Sequence, residues 1–308
     1  MEIVLSRLAS NELEDQTSAL ASIRAITVCV PDVEAAAEQY ARWLGYAVTY
    51  LGPLGDAQAN TWSMPRLSPR PTARLRPASG ADVDLQLVGT AAGETVLPHS
   101  TLGWNGIEML VADVDAVHRQ LQGSPFQILG APKPLSVSPH IRAMQVVGPG
   151  GELLFLTQVD DAALGLGTPR SMIDRIFMVT CGTHNMQAHV DLYRQLGCKI
   201  EPARMVCMPA LNSVYGLPPQ SEHRLALARL AEPCMLEIDQ YPPAAEPRRC
   251  APGDLPPGIA MVSFAQISLV KVGGASQTRH RPRSTLLRGP AGEWLELLAT
   301  GEAIATHA

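Results

Sequence analysis

Residues 146–156, VVGPGGELLFL, and residues 286–297, LLRGPAGEWLEL, follow one pattern: an apolar run, Gly-Pro-x-Gly, a glutamate and a second apolar run. Glycine supplies positive φ where two strands reverse, so each stretch predicts a hairpin. Upstream of each lies a second shared pattern. Ile23 to Tyr46 read IRAITVCVPDVEAAAEQYARWLGY, and Ile173 to Ile200 read IDRIFMVTCGTHNMQAHVDLYRQLGCKI. Both have apolar alternation, a turn, apolar residues at helical spacing and a Leu-Gly stop, which predicts strand, cap, helix and glycine terminator. Between these landmarks each copy has an Asn-containing segment (Ala59 to Pro65; Leu211 to Pro218) and a strand ending DLQLV or MLEID. A further strand begins near Gly106 or Gly258. The chain therefore contains its own copy at a period of about 150 residues, and a repeat of that length sets the architecture.

Composition agrees with two modules. The 308 residues exceed what one hydrophobic core usually spans. Hydrophobic residues make up 46% and charged ones 17%, the balance of a globular chain. A net charge of -5 without a block of Lys and Arg provides no footprint for nucleic acid or anionic lipid. The N-terminal stretch lacks a signal-peptide pattern and no apolar run is long enough to span a bilayer, so a cytoplasmic protein is expected. The six cysteines are scattered without a CxxC pair, as expected of reduced, buried residues.

In order and spacing, the repeat resembles the βαβββ units of the vicinal oxygen chelate superfamily, the glyoxalase, bleomycin-resistance and extradiol-dioxygenase group. The two Gly-Pro-x-Gly-Glu hairpins resemble its closing motif. The resemblance implies an α+β chain of two tandem modules, each of paired βαβββ units forming a curved mixed sheet, a half-barrel cup. The expected boundaries are an N-terminal extension, 1–20; a first module, 21–158; a linker, 159–169; a second module, 170–300; and a tail, 301–308. It also implies a divalent metal in the cup, held by His and Glu. Carried over residue by residue, the first-strand His falls on Ala25 and Arg175, and the middle-strand Glu on Gln86 and Glu237. The fifth-strand His falls on Gly106 and Met261, and the last-strand Glu on Phe155 and Glu296. Two glutamates without imidazole do not make the usual iron or zinc set. No cofactor is expected, and a divalent metal is disfavoured.

Arg175 then stands where the metal's charge would be. If the modules fold without exchanging halves, Arg175, Glu237 and Glu296 share one cup, with Arg175 and Glu296 as a charge pair. If halves exchange, Glu296 faces Ala25 and Gln86, while Arg175 and Glu237 face Gly106 and Phe155. The expected catalytic residues are Glu296, Glu237 and Arg175. The expected substrate-binding residues are Asn212, Tyr215, Met261, Asn60 and Trp62, which offer stacking area and amide contacts. The first module's cup is expected to be scaffolding. The leading functional expectation is a metal-independent isomerase or lyase moving a proton beside a carbonyl of a cyclic or aromatic compound. The alternatives are a non-catalytic binding protein of the bleomycin-resistance type and, third, a metal-dependent glyoxalase or ring-cleaving dioxygenase. The expected partner is a hydrophobic or aromatic small molecule, with a homodimer left open. His118 and His189 fall on helices as solvated or capping residues. The Pro- and Arg-rich stretch Pro65 to Pro77 reads as a surface loop, and RHRPR, Arg279 to Arg283, as a solvated basic cluster.

Overall fold

The computed structural model describes residues 17–90, 96–135, 138–160, 165–269 and 284–299. The RHRPR cluster, residues 1–16, linker residues 161–164 and the expected tail lie outside them. Four successive segments build the chain. The first comprises β1 (Thr17–Val30), α1 (Val33–Leu44), β2 (Tyr46–Pro53), α2 (Asp56–Thr61), β3 (Pro71–Pro77) and β4 (Asp84–Gly89). The second comprises β5 (Gly103–Val111), α3 (Val114–Gln120), β6 (Gln127–Leu135), β7 (Ser138–Val147) and β8 (Leu153–Val159). The third comprises β9 (Ile173–Thr183), α4 (Met186–Gln195), β10 (Lys199–Ile200), β11 (Arg204–Cys207), α5 (Pro209–Val214), β12 (Glu222–Arg229) and β13 (Met235–Gln240). The fourth supplies β14 (Gly258–Leu269), β15 (Ser284–Arg288) and β16 (Trp294–Leu298).

Local chemistry explains the helices. Asp32 caps α1 by accepting from the Ala35 N–H at 3.0 Å, and Gly45 ends it in the left-handed region at φ 69°. Asn185 caps α4 in the same way. The stretch Pro65 to Pro77 is not a surface loop: Leu67 is fully buried, and Ala73 and Leu75 are core residues of β3. Pro71 and Pro77 mark the ends of that strand, where no ladder N–H is needed.

The strands form two curved mixed sheets that exchange halves between the copies. A seven-stranded sheet runs β15-β16-β14-β1-β4-β3-β2, and a nine-stranded sheet has the path β10-β12-β13-β9-β5-β8-β7-β6, with β11 on β12. The first sheet is joined by antiparallel β1 and β14, the second by antiparallel β5 and β9. Each concave face thus takes its first half from one copy and its second half from the other.

The closing hairpins tie the sheets together. Gly151 and Gly292 take positive φ of 80° and 82° at the end of three-residue loops. A Cβ on Gly148 or Gly289 would collide with the carboxylate of Glu152 or Glu293, which folds back over its own turn. Folded back, Glu152 accepts from the Gly150 N–H at 2.7 Å and from the Tyr40 hydroxyl on α1, which belongs to the other sheet. Burial pushes the Glu152 carboxyl up to about 7. The glutamates of the repeated motif are therefore inter-sheet anchors.

Candidate functional site

Register decides which side chains share a face, because residues paired across strands point to the same side. In the seven-stranded sheet, Thr27 pairs with Gln86 and Met261, Gln86 with Arg74, and Ser263 with Glu296. Over this face folds the segment from Leu54 to Leu67. Leu54, Ala59, Trp62, Met64 and Leu67 pack against Cys29, Val88 and Met261, all at most 2% exposed. The Trp62 indole donates to Glu296 Oε1 at 2.9 Å, and the Ser263 hydroxyl donates to Oε2 at 2.6 Å. Arg74 Nη2 donates to Gln58 at 3.1 Å, and Gln58 donates to Gln86 at 3.2 Å. This cup is filled by its own covering segment, and Glu296 is consumed in holding it.

The nine-stranded sheet presents a different face. Glu237 is level with Thr180 and Gly106, Asp239 with Gly182, and Glu108 with Met178 and Phe155. Glu108, Glu237 and Asp239 thus line one concavity. Burial, and next the charge of Glu237, push the Glu108 carboxyl up to about 8, against which adjacent Thr157 favours the ionised form. Burial pushes Glu237 up to about 7, with Arg204 acting in the opposite sense. Asp239 is raised well above the usual carboxylate range by burial and by the charges of Glu237 and Glu108. Three such groups cannot all be ionised near neutrality. Asp239 Oδ1 and Thr180 Oγ1 are buried without hydrogen-bond partners. Phe177, Met178 and Met235 pack with Leu110 and Leu227 to supply apolar surface.

The lip of this face is polar and aromatic. Asn212 donates to the carbonyls of Pro219 and Ser221 at 3.1 and 2.9 Å, and its Oδ1 lies 2.6 Å from His223 Nε2. It pins the covering segment. Tyr215 is half-buried with an unpartnered hydroxyl and stands edge-on to Tyr241 at 6.5 Å. The Tyr241 hydroxyl meets His99 Nδ1 at 2.8 Å, and burial holds His99 down at about 4, so its ring is neutral.

The expected residues are therefore divided between two faces. Glu296, Met261 and Trp62 belong to the seven-stranded sheet, and Asn60 there is exposed. Glu237, Asn212 and Tyr215 belong to the nine-stranded sheet. Arg175 forms no pair with Glu296: its guanidinium donates to the Leu166 carbonyl of the linker. The register explains why. Ala25 lies level with Asp84, two residues before Gln86; the matching position, level with Met235 and two residues before Glu237, is Met178. Both strands are followed by a two-residue turn, but Ile173 lies three residues further ahead of its helix than Ile23 does, so an alignment counted from those two residues is displaced by three. Arg175→Ala is accordingly expected to change unfolding free energy by less than about 1 kcal/mol, read as a urea midpoint shift at constant slope. Glu108 and Asp239 were missed, although each lies two residues from an aligned position and so on the same face. A depression of about 600 Å³ beneath the linker has Asp160 as its one ionisable lining group.

The ion implied by the resemblance requires converging donors. Among the described residues, the one group of three His, Cys, Asp or Glu ligand atoms within 4.8 Å of one another is Cys181, His189 and Glu293, outside both concave faces. The carboxylate face thus does not fit such an ion, and no step is derived through one.

No family model and no curated protein matches the sequence. Solved structures do match the fold. Glyoxalase I from Zea mays aligns with a TM-score of 0.59 at 13% identity, covering 92% of this chain and 93% of that one. A variant of the same protein aligns at 0.60 and 12%, covering 97% and 96%. A proposed dioxygenase from Bacillus subtilis aligns at 0.56 and 11%, covering 92% and 86%. Similarity of this extent at such low identity shows the fold alone: the chain has the fold of these proteins, that of the vicinal oxygen chelate superfamily.

Proposed function

We propose that the nine-stranded face is the active site of a small-molecule enzyme that moves a proton next to a carbonyl group, as an isomerase or lyase does. The observation that carries this reading is the trio Glu108, Glu237 and Asp239 in one apolar concavity, with carboxyls raised toward neutrality. A general base works best with a pKa near the working pH, which suits Glu237 at about 7. As a carboxylate, it would take the proton from the carbon beside the substrate carbonyl. The electron pair left on carbon moves into a C–C double bond, and charge develops on the carbonyl oxygen. Glu108 or Asp239, still protonated, would donate a hydrogen bond to that oxygen, the role expected of Arg175 from the sequence. Return of the proton from Glu237 to another carbon completes an isomerisation. The apolar walls suit a neutral cyclic or aromatic compound, because an anion would meet three acids.

Solvent-exchange measurements test this. A panel of cyclic and aromatic ketones is incubated with the protein in D₂O, and loss of the proton signal beside the carbonyl is followed by NMR. Wild type is expected to catalyse exchange of at least one class. Glu237→Gln should lower the rate by about 10²-fold or more, while Asn60→Ala, in the exposed cover of the other sheet, should keep it. Compounds that bind the face without exchange would replace this reading with that of a binding protein.

A further inference from the structure

The side of the nine-stranded sheet opposite the carboxylates carries another cluster, which proton transfer does not use. Cys181 on β9, His189 on α4 and Glu293 at the β15–β16 turn are buried together, the last two with side chains 0% exposed. His189 Nε2 lies 2.9 Å from Glu293 Oε1 and 3.6 Å from Cys181 Sγ.

The other copy supplies an internal control. There Glu152, the counterpart of Glu293, is satisfied by its own turn and by the Tyr40 hydroxyl. Val28 occupies the position of Cys181, since Val28 pairs with Leu87 and Cys181 with Ile238, each one residue beyond the matched pair Gln86 and Glu237. Ala36 occupies the position of His189, each four residues past its N-cap. An inter-sheet anchor thus requires only a tyrosine and a glutamate. In the second copy Tyr193, the counterpart of Tyr40, is 0% exposed with a hydroxyl that has no partner. Two metal-ligating side chains have been added and one hydrogen bond given up.

His189 Nδ1 lies 3.3 Å from the Asn185 carbonyl. With its proton on Nδ1, His189 turns the Nε2 lone pair toward a carboxylate oxygen and a sulfur, the arrangement of a metal ligand; with its proton on Nε2 it donates to Glu293 instead. Ligands of a tetrahedral zinc ion stand roughly 3.4 to 3.6 Å apart, from bond lengths of about 2.0 to 2.3 Å. The Nε2 to Sγ spacing matches that edge and all three ligand atoms lie within 4.8 Å, while the 2.9 Å from Nε2 to Oε1 is a hydrogen-bond spacing that would open by about 0.5 Å to admit the ion. We propose that Cys181, His189 and Glu293 bind a zinc-type divalent cation, with the Tyr193 hydroxyl beside its fourth position. The ion staples the two sheets together and takes no part in the carboxylate face. The other oxygen of Glu293, held by the Ala291 N–H at 2.9 Å, orients the ligand.

The test is elemental analysis of protein produced with added zinc and dialysed against EDTA. One zinc per chain is expected in wild type and in Glu237→Gln, with at least a tenfold loss in Cys181→Ser and His189→Ala. Protein produced with cobalt should show a thiolate-to-cobalt absorption band, which decides the matter in wild type even if the ligand variants fail to fold. Folded wild type without a bound ion, as a plain imidazolium–carboxylate pair would give, overturns the proposal. So does an ion lost from Glu237→Gln but kept by Cys181→Ser.

Discussion

Raising the pH from about 5 to about 8 is expected to destabilise the folded protein, and Glu108→Gln is expected to remove one carboxyl's share of that loss. Glu108 is 6% exposed, and burial with the charge of Glu237 holds its carboxyl at about 8, against a usual 4.5. The unfolded chain releases this proton near 4.5 and the folded chain keeps it to about 8. Between those values the unfolded state binds fewer protons, so rising pH favours unfolding; above the folded value both states are ionised and the loss levels off. The effect from this one group is on the order of 3 kcal/mol. Glu152 and Glu237, each raised to about 7, and Asp239, raised well above the usual carboxylate range, add losses of the same sign that the variant retains. Urea unfolding at pH 5 and pH 8 measures both slopes. Identical pH dependence in wild type and Glu108→Gln would mean that Glu108 is solvated and the face is not an enclosed acid site.

Trp62→Ala is expected to lower the unfolding free energy by about 4 kcal/mol or more. A fully buried tryptophan truncated to alanine usually costs about 3 to 5 kcal/mol through lost transfer energy and the cavity left behind. Glu296 would also lose its indole donor. Trp62→Phe keeps most of the ring and loses only the N–H, at about 1 to 3 kcal/mol. The truncated cup should take up added indole, seen as recovery of the melting temperature with ligand concentration. A Trp62→Ala protein that unfolds within about 1 kcal/mol of wild type would show that the segment from Leu54 to Leu67 does not plug the sheet.

The repeat, the hairpins and the α+β class were legible because they rest on local signals: alternation, helical spacing and glycine at turns. The exchange of halves was not, because β1 presents the same alternation whether its neighbour comes from its own copy or from the other. Arg175 drew attention as the counterpart of Ala25 counted from Ile173 and Ile23, but counting back from the helix caps gives that place to Met178. Glu108 and Asp239 could have been found by stepping two residues from Gly106 and Glu237. His189 could have been found as well, since Met186, Val190 and Tyr193 put it on the buried stripe of α4. The Pro and Arg content of Pro65 to Pro77 concealed a strand whose apolar residues alternate as any strand's do.

The exchanged sheets also set an order of assembly during synthesis. The nine-stranded sheet draws on a contiguous part of the chain, from Gly103 to Gln240, and can close as soon as that part has been made. β1 must wait for β14, about 230 residues further on. At roughly 5 to 20 residues per second, one edge of β1 stays unpaired on the order of 10 to 50 s. An open apolar edge held that long invites pairing with other nascent chains. The acid-bearing face is thus complete early, while the tryptophan-plugged sheet is the last to form and the step at which this chain is most exposed to misassembly.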